Sequence, residues 1–327
     1  MPISIPQGDV QFDPYKTGQE TMPFLRTQYE RCTGIYPGNK ERKQLKNITA
    51  YIDGSMMYGS SLSRCASLRE FKDGKMKLKN SFPPKNIDGL PNDNPTGRPF
   101  DQLYVTGDVR ANVQPGLMGL HSLFLREHNR LAQAFQYRNP MASDEEIFQY
   151  ARHIVIAELQ SVTYREYLLA ILGNVLPAYN GYNDTVNSGI FNEFATAAFR
   201  AQEVDLLIVD EMRNKLFPSS AAATGTQTGF DLASINIQQG RDHGLADFNT
   251  VRKYLGLPAY KSFEEITSDR DIAEKLKSLY QSVDKFDLWV GGLAENHVLR
   301  SELGKTFLKI ILEQFRRIEI DFGTKGF

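Results

Sequence analysis

A long amphipathic helix is predicted by the segment Pro115-Gly-Leu-Met-Gly-Leu-His-Ser-Leu-Phe-Leu-Arg-Glu-His128-Asn-Arg130. From Leu117 to Phe135, large apolar side chains and histidines recur at spacings of three and four, which places them in one buried stripe. Just before this helix, Gly107-Asp-Val-Arg110 puts an arginine on a loop. A loop arginine that faces a histidine-containing stripe indicates a site that handles negative charge or a polar oxidant.

A second helix is predicted from Ser143, because Glu146 follows three residues later and completes a capping box. Its apolar pattern continues towards Leu172, where Gly173 can end the helix. Further helices are predicted over residues 188–199, 203–217, 245–255 and 301–318.

The rest of the chain reads as irregular structure. Residues 1–45 and 76–104 are rich in proline, glycine and polar residues, which forbid long helices. Alternating strand patterns are scarce, and no internal repeat is visible. The fold class is therefore predicted as all-α: one mostly helical domain over residues 1–327, with long irregular connections.

Composition excludes several classes of function. The 327 residues carry 38 Lys+Arg and 39 Asp+Glu, so the chain has no basic footprint for nucleic acid or an anionic membrane. No apolar run reaches the length of a membrane span. The N-terminal residues lack the basic and apolar regions of a signal peptide, so either the protein is not secreted or the chain derives from a longer precursor.

Cysteines and histidines give no metal cluster by spacing. Cys32 and Cys65 cannot form a four-ligand zinc site and are predicted to be free buried thiols, although one bridge between them is possible. His121 and His128 lie two helical turns apart, roughly 10 Å, which is too far to share one ion. We expect both to be core histidines held by hydrogen bonds.

The segment Thr49-Ala-Tyr-Ile-Asp-Gly-Ser55 is a candidate cation site. Side-chain oxygens of Thr49, Asp53 and Ser55, together with the carbonyl of Tyr51, form an oxygen-only set with one carboxylate, which suits calcium. The same residues also favour a turn capped by aspartate and serine. Residues alone favour the turn.

In their order along the chain, the motifs resemble those of the animal-type haem peroxidases. The resembling segments are Thr49–Ser60, Gly107–Arg110 with His121–Asn129, Thr163–Tyr167, Leu176–Tyr182, Asn192–Arg200, Asp231–Gly244 and Asp287–Glu295. They span nearly the whole chain. The first of them is similar to the calcium loop of the family, which makes the four residues just named the implied ligands.

The resemblance implies a peroxidase that oxidises a small-molecule or halide donor with hydrogen peroxide, and an extracellular location. It identifies Arg110 as the catalytic distal arginine, Asn236 as the partner of the proximal histidine and Arg200 as a contact of a haem propionate. Helix-end packing and capping explain Arg200 and Asn236 equally well. Val113 and Gln114 stand where some members attach haem covalently, which implies non-covalent haem b.

Parts of the family pattern are missing. Members carry the distal histidine upstream of the segment at which this chain begins, and the proximal histidine shortly after the counterpart of Arg200. Here Arg200 runs directly into Ala201-Gln-Glu-Val-Asp, a motif that the family places well downstream, and the C-terminal part is short. We therefore expect a truncated and internally deleted member.

The histidines of the chain offer no obvious replacement. All five fall in other motifs, and His243 is predicted to be a structural hydrogen-bonding turn. Two hypotheses follow. The protein is a haem peroxidase, or it is a degenerate scaffold that binds calcium or a partner and catalyses nothing.

Overall fold

A computed structural model of the chain describes residues 2–34, 42–94, 97–113, 115–203 and 231–322. The contacts between its residues divide the chain into two units. We call residues 47–166 the central unit, and residues 1–46 together with 167–327 the flanking unit. The single domain over residues 1–327 remains a prediction. Beyond residue 203, the helix predicted at 203–217 lies outside the described residues.

Helices dominate the part of the chain that the structure describes, which confirms the all-α class. The central unit contains α1 Ser55–Tyr58, α2 Leu62–Leu68, α3 Pro115–Arg138 and α4 Asp144–Val162, with a 3-10 turn at Phe100–Gln102. The flanking unit contains α5 Leu168–Leu172, α6 Asn192–Thr196, α7 Leu232–Asp242, α8 Phe248–Tyr254, α9 Arg270–Tyr280, α10 Leu288–Ala294 and α11 Lys305–Phe322. Its 3-10 turns are Ala198–Glu203, Phe263–Glu265 and Val283–Lys285. Strands β1 Ile3–Ser4 and β2 Thr21–Met22 pair antiparallel.

Both long helices of the central unit agree with the prediction. On α3, His121, His128 and Leu131 of the predicted stripe are buried. The capping box at the start of α4 is present, since the amide of Glu146 donates to Ser143 Oγ and the Glu146 carboxylate accepts from the Ser143 amide. A π-helical turn, Thr163–Tyr167, separates α4 from α5, which ends at Gly173 as predicted.

The core of the central unit forms where α3 and α4 meet α1. Its buried members include Met57, Tyr58, Leu125, Ala132, Ile147, Phe148, Ala151 and Val155. His128 is fully buried among them and uses both ring nitrogens, one towards the Tyr58 hydroxyl and one towards the Gly74 carbonyl. The prediction of a hydrogen-bonded core histidine is therefore confirmed.

In the flanking unit, α10 packs without space between two aromatic rings. A Cβ atom at Gly291 would lie 2.5 Å from the ring of Phe248, and one at Gly292 would lie 2.1 Å from the ring of Phe307. Both rings are fully buried. Glycine is therefore required at these positions for close packing, although it weakens the intrinsic tendency to form a helix.

A buried ion pair stabilises the same region. Arg252 donates to the carboxylate of Glu295, and each side chain is only 1% exposed. Glu295 also accepts from the Tyr260 hydroxyl at 2.9 Å and from the amide of Thr306 at 2.8 Å. The guanidinium of Arg252 reaches the Thr306 hydroxyl and the Pro258 carbonyl as well. This network compensates the desolvation of both charges.

The sequence predicted some elements incorrectly. The helices α1, α2, α7, α9 and α10 were not predicted. The helix predicted at 188–199 is shorter, over Asn192–Thr196, and continues as a 3-10 turn. Both thiols are free as predicted, but neither is fully buried, because Cys32 lies at an exposed position of the turn over residues 31–34 and Cys65 on α2 is only half-buried.

We predict that Glu295→Ala destabilises the flanking unit by roughly 3–5 kcal/mol, because it leaves the Arg252 guanidinium buried without its counter-charge. Urea unfolding can be followed by the fluorescence of Trp289, the single tryptophan, which is 4% exposed in the flanking unit. The control is Glu264→Ala in the same unit, which breaks an ion pair whose two side chains are 67% and 54% exposed and should cost under about 1 kcal/mol. Equal losses in the two variants would refute the role of the buried pair.

Candidate functional site

In the central unit, Arg110 lies on a loop, and hydrogen bonds to Asp108 fix its side chain. Its Nε donates to Oδ1 of Asp108 at 2.9 Å and its Nη2 donates to Oδ2 at 2.6 Å, while its backbone amide also reaches Oδ1. Asp108 is anchored in turn, since its amide donates to the Met56 carbonyl. Gly107 makes this close approach possible, because a Cβ there would lie 2.3 Å from the Ser55 carbonyl oxygen.

Asp108 and Arg110 each stabilise the charged form of the other. Burial opposes ionisation of Asp108, but the hydrogen bonds from Arg110 outweigh it and lower the pKa of the carboxyl group. The hydrogen bond to Asp108 raises the pKa of Arg110 against the effect of burial. Arg110 is thus a fixed guanidinium, 51% exposed. Sequence reasoning did not assign Asp108, although its position two residues before the arginine could have indicated it.

In the flanking unit, the structure brings Arg200 and Asn236 together. Arg200 Nη1 donates to Asn236 Oδ1 at 2.7 Å, and its Nε donates to the Ala195 carbonyl at 3.3 Å. Asn236 lies on α7 and is fully buried. Asp231 precedes α7 as its N-cap residue, and its carboxylate accepts from the amides of Ala233 and Ser234. Two residues that the sequence separates by a long interval thus form one polar pair.

Part of the Asn236 side chain has no partner. Its Nδ2 is buried and makes no hydrogen bond within the described residues. Asn236 also lines a cavity of about 30 Å³ together with Trp289, whose Nε1 likewise has no partner among the described residues. A cavity of this size can hold a water molecule.

His243 ends α7 and forms the predicted hydrogen-bonding turn. Its Nδ1 lies 3.2 Å from Asn192 Oδ1, and its carbonyl accepts from Asn192 Nδ2 at 2.9 Å. Burial, together with the positive charge of Arg200, lowers the pKa of His243. Its Nε2 is buried without a partner in the described part of the chain.

No histidine of the described flanking unit donates to Asn236 or accepts from it. His243 bonds to Asn192, and the remaining histidine of that unit, His297, is exposed. Residues of the flanking unit that the structure describes therefore do not fit a haem iron held by an imidazole next to Asn236. Arg200, moreover, already occupies the oxygen of that side chain.

Three of the four predicted calcium ligands lie on the loop that leads into α1, and the fourth, Ser55, is the first residue of that helix. Thr49 Oγ1 accepts from the Tyr51 amide at 3.1 Å, and Asp53 Oδ1 accepts from the Ser55 amide at 2.9 Å. Gly54 between them has a φ of 69°, which favours glycine. These are the local turns that the residues alone indicate. Within the described residues no group of three or more His, Cys, Asp or Glu forms a metal cluster.

Comparison with known proteins identifies the family. The family model "Animal haem peroxidase" matches residues 1–203 and 200–321, so the chain belongs to this family. Peroxinectin A of Dictyostelium discoideum is 36% identical over an alignment that covers 97% of this chain and 70% of that protein. Chorion peroxidase of Drosophila melanogaster is also 36% identical, over 85% of this chain. The protein therefore belongs to a family of oxidoreductases.

Solved structures agree with this assignment. Peroxidase A from Dictyostelium discoideum superposes with a TM-score of 0.90 at 35% identity, covering 98% of this chain and 74% of that one. Oryza sativa fatty acid alpha-dioxygenase superposes with a TM-score of 0.71 at 20% identity, which shows a shared fold only. The all-α peroxidase fold is confirmed.

Several relatives are much longer than the matched region. The chain spans 41% of chorion peroxidase and 54% of the lactoperoxidase of Mesocricetus auratus. Activities, substrates and partners of whole relatives are therefore proposals for this chain. Among the helices that the structure describes, none has the length and apolar character needed to cross a membrane.

Proposed function

We propose that the protein acts in the peroxide-dependent oxidation of a small-molecule or halide donor, with Arg110 stabilising the negative charge that develops on peroxide oxygen. The observation that carries this proposal is the fork of hydrogen bonds that fixes Arg110 on Asp108, in a chain that belongs to the haem peroxidases. A guanidinium that is held in place before the reaction needs no reorganisation when charge appears. We also propose an extracellular location, by analogy with the family.

Haem b is the proposed cofactor, bound without a covalent link, and when bound it would supply redox-active iron. Arg200 would contact a propionate, and Asn236 would orient a histidine that binds the iron. Because the described residues place no imidazole next to Asn236, we assign no step of the reaction through iron. We propose that the turnover of the isolated chain is low for this reason.

We propose that this chain lacks an internal block after Arg200, where the family carries the proximal histidine. Two observations support the proposal. The family model matches in two parts that meet at residues 200–203. The alignment with peroxinectin A runs over 377 positions, more than the 327 residues of the chain, so that many of its positions lie opposite gaps.

The second candidate function is a scaffold that binds calcium or a partner without catalysis. It is favoured by the hydrogen bond from Arg200 to Asn236 Oδ1, which occupies the side-chain oxygen that would otherwise accept from a haem ligand. Calcium would bind at Thr49, the Tyr51 carbonyl, Asp53 and Ser55. Asp53 supplies the only carboxylate of this set, so we expect weak affinity.

We predict that the isolated chain oxidises a phenolic donor with peroxide no faster than free haem at equal concentration. The visible spectrum after haem titration gives an independent readout, because an axial imidazole produces a Soret band different from that of free haem. The peroxidase and scaffold hypotheses separate here. Turnover well above free haem, abolished by replacing one of the five histidines, would show that another histidine serves as the ligand.

Any turnover above that of free haem should depend on Arg110. We predict that Arg110→Ala lowers it by on the order of 10²-fold, because a preorganised donor to the developing charge is lost. The fold should persist, since the side chain is half-exposed on a loop. Arg130→Ala, which removes a more exposed arginine of the same unit, serves as control and should leave turnover unchanged. Equal rates for the two variants would exclude the proposed role.

The calcium proposal is tested by thermal unfolding. We predict that calcium raises the melting temperature of the wild type and that Asp53→Ala removes this rise, because a ligand that binds only the native state stabilises it by mass action. The Asp53 side chain also holds a turn, so the calcium-dependent rise is compared rather than the melting temperature itself. Asp88→Ala, at an exposed position of the same unit, is the control. A wild type that is insensitive to calcium contradicts the proposal.

A further inference from the structure

The central unit contains a buried tyrosine–histidine pair that none of the roles above uses. The hydroxyl oxygen of Tyr58 lies 2.9 Å from Nδ1 of His128, and both side chains are fully buried. Phe148 packs against both, with ring centroids 5.9 Å from Tyr58 and 5.3 Å from His128. The pair is thus shielded from water and from other solutes.

The other ring nitrogen fixes the direction of this hydrogen bond. Nε2 of His128 lies 2.9 Å from the carbonyl oxygen of Gly74, which can only accept, so Nε2 carries a proton. Burial lowers the pKa of His128 to about 4, against the effect of the Gly74 hydrogen bond, so the ring is neutral near pH 7. Nδ1 is then the acceptor, and Tyr58 donates to it.

Tyr58 does not lose this proton as an ordinary acid. Burial raises the pKa of its phenol far above the usual value, although the charge of Arg152 opposes that change. A phenol that loses an electron becomes a strong acid, however, and the nearest base is the lone pair on Nδ1. The hydrogen bond therefore allows the proton to move from Tyr58 to His128 only when the phenol loses an electron.

We propose that Tyr58 is a one-electron redox site whose proton acceptor is His128. One electron passes from the phenol to a one-electron oxidant. The O–H bond of Tyr58 breaks and an N–H bond forms at Nδ1 of His128. The products are a neutral phenoxyl radical and an imidazolium whose two N–H groups donate to the Tyr58 oxygen and the Gly74 carbonyl. Reduction returns the electron to the ring and the proton to the oxygen.

Charged side chains near His128 influence the reduction potential of Tyr58. The new charge on His128 is opposed by Arg69 and Arg152, which therefore raise the potential of the site. Arg69 is offset by its ion pairs with Asp144 at 2.7 Å and Glu145 at 2.5 Å. Because the oxidant can be supplied externally, the inference does not depend on haem or on the proposed peroxidase function.

The test generates the oxidant by light. A ruthenium(II) tris-bipyridine complex is excited and quenched with persulfate in the presence of the full chain without haem, and radicals are followed by high-field electron paramagnetic resonance. We expect a long-lived tyrosyl radical with a g-tensor shifted by a hydrogen bond, coupled to one exchangeable deuteron after equilibration in D₂O. Radicals on exposed tyrosines disappear quickly, because they couple with one another.

Two variants assign the signal. Tyr58→Phe keeps the packing of the ring and should lose the long-lived radical, whereas Tyr137→Phe, at a position 87% exposed, should retain it. Persistence of the signal in Tyr58→Phe, or only short-lived radicals in the wild type, would overturn the proposal. If Tyr58→Phe does not fold, the deuteron coupling in the wild type decides, since absence of a hydrogen-bonded deuteron also refutes the assignment.

Discussion

The buried carboxylate of Glu295 organises much of the flanking unit, because its charge must accept hydrogen bonds from several elements at once. Arg252 of α8, Tyr260 of the following loop and the backbone at the start of α11 all donate to it. The positions of the donors are thereby fixed relative to one another, because a buried charge without a partner destabilises the folded state far more than a misplaced apolar group does. The central unit uses the same principle with neutral groups, through the two hydrogen bonds of His128.

Against this background, the polar atoms that the units leave without partners are informative. In the described part of the flanking unit, the amide nitrogen of Asn236, Nε2 of His243 and the indole nitrogen of Trp289 are buried and without hydrogen bonds. Buried polar groups in native proteins rarely remain in this state. Two of the three atoms belong to α7 and the turn that ends it, and the family resemblance assigns Asn236 a role beside the iron ligand. The unpaired polar groups of this unit thus lie where the family resemblance proposes a binding region.

Much of the central unit could be predicted from the sequence, because its signals are local. The stripe on α3 and the capping box of α4 depend on spacings of three to four residues. Helices α7 and α10 were missed for different reasons. The start of α7 is marked only by a capping aspartate, and α10 carries two glycines, so that its packing and not its propensity fixes it.

In the candidate sites, too, local features could be predicted from the sequence and contacts between distant residues could not. Arg110 could be recognised on its loop, and its partner Asp108 lies two residues away. The contact between Arg200 and Asn236 could not be predicted by spacing, because it joins residues 36 positions apart in sequence. Only the resemblance to a known family named these two residues together. The motifs do not indicate that the two side chains form a hydrogen bond with each other, which the structure shows.

The two glycines of α10 also limit how this sequence can vary. Every single-nucleotide missense change of a glycine codon introduces a side chain with at least one carbon atom, and at Gly291 and Gly292 that atom would overlap a buried aromatic ring. The rings cannot retreat, because Phe248 and Phe307 are themselves fully buried. We therefore expect substitutions at these two adjacent codons to destabilise the fold, whether or not the protein has an enzymatic role. Selection for a folded chain alone is enough to keep them.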